Sequence, residues 1–142
     1  MGSDNSFITM SSLCSAFQSV KENHGCAGVD GETIEKFEAD LDTNLEKLYN
    51  ELLAHTYSPL PLLKILVDKG NGEARPLCIP TVRDRVAQSA VLHYIEPILD
   101  KEFEACSFAY RKGHSVREAI NKIKKYYERG YHFSHSGQFV FR

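Results

Sequence analysis

Arg75-Pro76-Leu77-Cys78-Ile79-Pro80-Thr81-Val82-Arg83-Asp84-Arg85-Val86-Ala87-Gln88 changes its period halfway along, and that change decides the fold. Up to Ile79 the run reads as extended chain. Pro76 within it has no amide to give to a ladder, so the strand lies at an edge or stops early. From Thr81 the pattern is helical. A cap residue is followed three positions later by an acidic one, Asp84, and Val86, Ala90, Tyr94 and Ile95 then space out a buried stripe. Pro97 kinks or restarts that helix.

Working upstream, Leu62-Leu63-Lys64-Ile65-Leu66-Val67 is a strand candidate rich in branched side chains. Gly70-Asn71-Gly72 supplies residues that tolerate positive φ, so the two extended runs read as a β-hairpin. Tyr57-Ser58-Pro59-Leu60-Pro61 stops whatever helix precedes it. Before it, Leu13, Phe17 and Val20 put one apolar face on a helix over residues 10–23. His24-Gly25-Cys26-Ala27-Gly28 ends that helix, and Asp30-Gly31 is a turn. Ile34, Phe37 and Leu41, then Leu45, Leu48 and Leu52, predict two more helices. Thr43-Asn44-Leu45-Glu46 fits a capping box, so they meet near Asp42.

Downstream, residues 106–113 read as a connector, and Ser115-Val116-Arg117-Glu118 is a full capping box. Val116, Ala119, Ile120, Ile123 and Tyr127 recur at helical spacing, Lys122, Lys124, Lys125 and Arg129 occupy much of the rest, and Gly130 stops the helix. There is no internal repeat. The expected class is α+β: N-terminal helices, one hairpin or small antiparallel sheet, then two further helices.

The 142 residues suffice for one domain with a core, and 42% hydrophobic with 25% charged residues is the balance of an ordered chain. No apolar run reaches the length of a membrane span and no signal pattern opens the chain, which places the protein in the cytoplasm, away from membranes. The net charge of −2 conceals an asymmetry. Residues 1–58 carry 3 Lys and Arg against 10 Asp and Glu, a balance of −7, and residues 59–142 carry 14 against 9, a balance of +5. An acidic front and a basic back direct any polyanion to the back. The charge change separates an acidic helical extension over 1–58 from the hairpin and helices over 59–131, with residues 132–142 as a tail. Cys14, Cys26, Cys78 and Cys106 form no C-x-x-C pair, which excludes a zinc ribbon and predicts buried free thiols.

Lys69 and Arg75 flank the glycine turn. A compact ammonium beside a planar guanidinium suits a triphosphate, and two solvated surface cations are the competing reading. His132 and His135 lack a third ligand and stay unassigned.

The opening stretch closely resembles the R-P-L-G-I-P-T-V-R-D-R-V-V-Q signature of group II intron reverse transcriptases and their retron-like and CRISPR-associated relatives. The flanks agree: Val29-Asp30-Gly31 is similar to the family's V/I-D-G element, Tyr57-Ser58-Pro59 to its Y-x-P step and Ile95-Glu96-Pro97-Ile98 to L-E-P-I. Ser107-Phe108-Ala109-Tyr110-Arg111-Lys112-Gly113-His114-Ser115 resembles S-F-G-F-R-P-G-R-S. The resemblance runs from about Gly28 to Tyr131. Cys78, Ala109, Lys112 and His114 depart from it, where Gly, Gly, Pro and Arg are usual.

That resemblance implies the fingers subdomain of a right-hand polymerase, with an N-terminal extension before it. It implies that Lys69 and Arg75 contact the phosphates of the incoming nucleotide, and that Ile79 and Pro80 lie against the templating nucleotide. Arg83 and Arg85 then stand near template backbone or in internal ion pairs, with Asp84 and Glu96 available as partners. Arg111 becomes a neighbour of nucleic acid or nucleotide. Partners of the whole enzyme would be an RNA template, a primer and deoxynucleoside triphosphates. Its cofactor would be Mg2+ held by clustered aspartates, with no cofactor bound by this chain itself.

Those aspartates are not in the sequence. Gly130-Tyr131-His132-Phe133 begins as the family does before its first catalytic strand, but Ser134 onward does not match. No Asp follows Asp100, and there is no Y-x-D-D. The expectation is an N-terminal fingers part without the catalytic residues, unable to polymerise alone. The alternative is a truncated stand-alone RNA-binding or assembly module, pairing with itself through the face that would pack on the palm.

Overall fold

The computed structural model describes residues 8–68, 70 and 72–131, in two units that divide between Ile98 and Leu99. Lys69, Asn71, His132, His135 and the tail over 132–142 lie outside the described residues.

In the first unit, α1 (Met10–Glu22) starts where Thr9 and Ser12 exchange side-chain and backbone hydrogen bonds, each 3.0 Å long. This capping satisfies two amides that would otherwise have no partner in the first turn. Its buried residues, Leu13, Ala16, Phe17 and Val20, recur at three- and four-residue intervals. They face α2 (Ile34–Ala39) and α3 (Leu41–Leu53), and Phe17 stacks on Phe37 with centroids 5.6 Å apart. Leu45 and Leu48 of α3 are fully buried, and truncating either to alanine typically costs about 2–5 kcal/mol.

The junction between α2 and α3 differs from its expected place. The break is at Asp40, and Thr43 lies inside α3 rather than capping it. Half-buried Leu41 packs on the core in register with Leu45 and Leu48, which draws the helix start upstream. Asn44 turns its amide back to the Phe37 carbonyl at 3.0 Å, closing the end of α2. At the far end of α3, Thr56 N bonds Glu51 O and His55 N bonds Leu52 O, a Schellman motif with His55 at positive φ.

The hairpin follows. β1 (Leu63–Asp68) runs antiparallel to β2 (Ala74–Ile79), with Leu63 opposite Ile79 and Asp68 opposite Ala74. Both strands are edges, so Pro76, opposite Leu66, keeps its edge position and the ladder passes through it. Gly70 and Gly72 both take φ +81, and Asp68 accepts from Gly70 N at 2.8 Å. Apart from Leu63 and Ile79 at the base, the strand residues are exposed, so the hairpin stands off the core.

Then comes α4 (Val82–Leu99), whose Val82, Val86, Ala87 and Ala90 complete the core of α1 to α3. The change of charge at residues 58 and 59 therefore falls inside one packed unit. Beyond Ala90 the expected stripe ends: Tyr94 is 47% exposed and Ile95 37%. Pro97 neither stops nor restarts the helix. It sits in the last turn, where a missing amide costs one bond only.

In the second unit, α5 (Val116–Glu128) begins with the predicted box: Ser115 accepts from Glu118 N at 3.3 Å and Glu118 from Ser115 N at 2.9 Å. It ends in a second Schellman motif at Gly130, φ +92, where Tyr131 N reaches Tyr126 O and Gly130 N reaches Tyr127 O. None of its residues is buried. The four cysteines are free, as expected, but exposed rather than buried. Cys78 illustrates why: among the described residues no layer packs over its hairpin.

Candidate nucleic-acid interface

Asp84 organises the base of the hairpin. It is 2% exposed, and its carboxylate accepts from the Tyr57 hydroxyl at 2.5 Å, the Leu60 amide at 3.0 Å and the Thr81 hydroxyl at 2.8 Å. Thr81 in turn accepts from Asp84 N at 3.2 Å, the N-cap bond that starts α4. A buried carboxylate is tolerated when its lone pairs are met in this way. Burial raises the Tyr57 phenol well above its ordinary range, and the bond to Asp84 and its charge add to the effect.

A second contact fixes the same point from the other side. A Cβ on Gly28 would lie 2.6 Å from Thr81 Cα and 3.0 Å from Pro80 C. Only glycine lets the loop after α1 press its backbone against Pro80 and Thr81. Ile79, 8% exposed, and half-buried Pro80 are thus held between the hairpin and the helical core.

The two arginines of α4 are occupied within the protein. Arg83 is ion-paired with Glu51 and lies 5.2 Å over the Tyr57 ring, so its partner is neither Asp84 nor Glu96. Arg85 donates to the Cys26 carbonyl at 2.6 Å, pinning the loop that carries Gly28. The Nε of each is buried without a partner among the described residues.

Arg75 differs. It is exposed on β2 opposite Val67, one residue from the tip end of the ladder. Its companion Lys69 lies outside the described residues.

In the second unit Arg111 holds the connector together. Nε donates to Asp100 Oδ1 at 2.7 Å, Nη2 to Asp100 O at 3.1 Å, and Nη1 to the Ser107 and Glu104 carbonyls at 2.9 and 3.2 Å. Its guanidinium also lies 5.4 Å from the Phe103 ring. The bond to Arg111 holds the Asp100 carboxyl below the usual carboxylate range, and the arginine is raised in return.

The sequence marks these arginines but not what engages them. By sequence alone Tyr57 is part of a helix stop and Asp84 an ordinary capping residue. An acidic residue three after a threonine, preceded by a tyrosine at a helix exit, was the available signal. The first unit also carries an apolar groove of about 820 Å³ that no sequence pattern announces, lined by Leu52, His55, Pro59, Val91, Leu92 and Ile95 among others. No helix among the described residues is long and apolar enough to cross a membrane.

No protein-family profile matches the chain. Individual proteins do. Protein YkfC of Escherichia coli (strain K12) is 41% identical over 97 residues, 68% of this chain and 26% of its own length. The group II intron-encoded protein LtrA of Lactococcus lactis subsp. cremoris is 31% identical over 113 residues, 78% of this chain and 18% of its own. An uncharacterized 91 kDa protein in the cob intron of Schizosaccharomyces pombe is 28% identical over 110 residues, 76% of this chain and 13% of its own. The chain therefore spans well under a third of the relatives it matches.

Proposed function

The chain belongs to the group II intron-type reverse transcriptases, and from that membership we propose that it forms the fingers part of an RNA-directed DNA polymerase. The observation that carries the reading is the hairpin: exposed on both strands, turned through glycines at its tip, and locked at its base by Asp84 and Gly28. A projecting arm on a fixed base is suited to reach a polyanion that the core does not touch.

In this reading Lys69 and Arg75 hold the triphosphate of the incoming nucleotide, the first as a point charge and the second as a fork. Ile79 and Pro80, kept in place by Gly28 and Thr81, border the templating nucleotide. Arg83, Arg85 and Arg111 serve the fold first, because their guanidinium groups already have protein partners. The partners are RNA template, primer and deoxynucleoside triphosphate, in the cytoplasm.

Magnesium would activate the primer hydroxyl and stabilise the leaving pyrophosphate. The donors present do not fit it: among the described residues no three His, Cys, Asp or Glu side chains come together, and no Asp follows Asp100 in the sequence. The chemical step belongs to residues beyond those described here, and primer extension by this chain alone with magnesium would overturn that assignment.

The test of the binding role is deoxynucleoside triphosphate affinity across a salt series, with a Lys69→Ala/Arg75→Ala variant beside the unaltered chain. Salt-sensitive triphosphate binding that the substitutions weaken supports the reading. Binding indifferent to the substitutions overturns the role of the hairpin tip.

A second reading, a stand-alone RNA-binding or assembly module, draws on the apolar groove and on exposed Val91, Leu92, Ile98 and Leu99 along α4. It expects self-association, and a single monomer peak by light scattering at high concentration would count against it.

A further inference from the structure

The second unit carries a groove of about 480 Å³ between the connector and α5. Its walls mix aromatic rings with cations: Phe108 and His114 from the connector, and Lys122, Lys125, Tyr126 and Arg129 from α5. One wall is fixed internally. Lys122 donates to the Ala105 carbonyl at 2.8 Å and lies 5.6 Å from the Phe108 ring, which His114 meets edge-on at 5.7 Å. Tyr126 is held edge-to-face by Tyr131 at 5.8 Å, at the Schellman end of the helix.

The groove's other two cations are not neutralised. Lys125 and Arg129 stand four residues apart on one exposed face, and neither is ion-paired among the described residues. Like charges at that spacing repel, a cost that a bound polyanion reverses. Glu118, the groove's carboxylate, is already engaged by the Ser115 amide. Cations in the last turn of a helix are favoured by its dipole, which accounts for Lys125 and Arg129 taken alone. It does not account for two aromatic rings set beside them.

We infer that this groove binds single-stranded RNA, with Phe108 and Tyr126 as stacking surfaces for bases and Lys125 and Arg129 as phosphate contacts. Aromatic rings interleaved with cations suit a strand whose bases are unpaired, because every base offers a face to stack and a phosphate beside it. A lipid surface fits less well. The exposed apolar stripe of α5, Val116, Ile120 and Ile123, lies on the roughly opposite side of the helix from Lys125 and Arg129 by the 3.6-residue period. The inference rests on the reverse-transcriptase reading for its choice of RNA, but the site is separate from the hairpin.

The experiment pairs photocrosslinking with binding. A 4-thiouridine-containing RNA oligonucleotide is crosslinked to the unaltered chain and the adducts are mapped by mass spectrometry. Affinity is measured for Lys125→Ala/Arg129→Ala, for Arg117→Ala/Lys124→Ala, which removes the same charge from another face of α5, and for Phe108→Leu. The expected result is adducts on Phe108 or Tyr126. The groove pair should lose roughly tenfold in affinity at low salt while the control pair loses far less. Phe108→Leu should lose roughly fivefold or more, the lower end of a lost base stack. Equal weakening by both double variants would reduce the site to diffuse charge and overturn it. Adducts confined to the hairpin would overturn the groove while leaving the polymerase reading standing. Binding to phosphatidylserine vesicles that RNA fails to compete would also overturn it, and no RNA binding by the unaltered chain would overturn groove and reading together.

Discussion

The Tyr57 hydroxyl donates to the buried carboxylate of Asp84 at 2.5 Å, across 27 positions of the chain. The bond joins the exit from α3 to the entry of α4, and the hairpin lies in the chain between them. Leu60 and Thr81 donate to the same carboxylate, so both legs of the hairpin are tied at one point. A projecting two-stranded arm has little stability of its own, and its direction is set where it is anchored.

Tyr57→Phe should therefore lower stability by about 1.5–3 kcal/mol, the range for a hydrogen bond to a charged group. Asp84→Ala should cost more, since it strands several donors at once. The pH dependence has a definite sign. The folded phenol titrates above its ordinary 10.0, so the unfolded chain loses this proton first as pH rises. The contribution is complete below about pH 10 and declines above it. Urea denaturation between pH 8 and pH 11, unaltered chain against Tyr57→Phe, checks it: the gap should narrow at the alkaline end, and a constant gap would remove the linkage.

Local signals were legible in the sequence wherever they are local in cause. The hairpin, the Ser115 box, the Gly130 stop and the core faces of α1 and α3 follow from spacing and turn chemistry. What escaped depends on contacts distant in sequence. Leu41 moved a helix start because the core claimed it. Tyr94 and Ile95 have helical spacing but no layer above them, and periodicity reports a face without reporting what covers it. The four cysteines were assigned inside by residue type, while their elements expose them. Arg83 and Arg111 were recognisable as important, yet Glu51 and Asp100 as their partners required the fold.

Gly28 and Gly25 make a paired test of close approach. A Cβ at Gly28 meets backbone atoms that cannot move aside, so Gly28→Ala should cost about 1–3 kcal/mol, as overpacked sites do. At Gly25 the obstacle is Arg85 Nη1, the far end of a flexible side chain, and Gly25→Ala should cost clearly less. Equal losses in urea denaturation would mean that the loop after α1 shifts as a body, and the anchoring of Pro80 and Thr81 would fail with it.

Asp100 and Arg111 give the second unit an acid limit. The carboxyl is depressed in the folded state, chiefly by its bond to Arg111, so its contribution is present above its ordinary 3.8 and is lost as pH falls through the folded value. Amide exchange over residues 99–113 should accelerate at acid pH once the intrinsic rate is subtracted. Arg111→Lys should abolish that dependence by removing the planar fork, which no ammonium reproduces.

Arg83 sits where a template contact and a structural role compete, and its geometry separates them. It is ion-paired with Glu51 and stacked over Tyr57, the residue that binds Asp84. A guanidinium committed in this way serves the anchor of the hairpin. Arg83→Ala and Glu51→Ala should then each destabilise the chain, with a coupling in the double variant of about 0.5–3 kcal/mol, the range for contacting residues. RNA affinity, measured at a temperature where all the variants are folded, should be unchanged by Glu51→Ala. If removing Glu51 instead tightens RNA binding, the carboxylate has been competing with phosphate for Arg83, and the arginine belongs to the nucleic-acid surface after all.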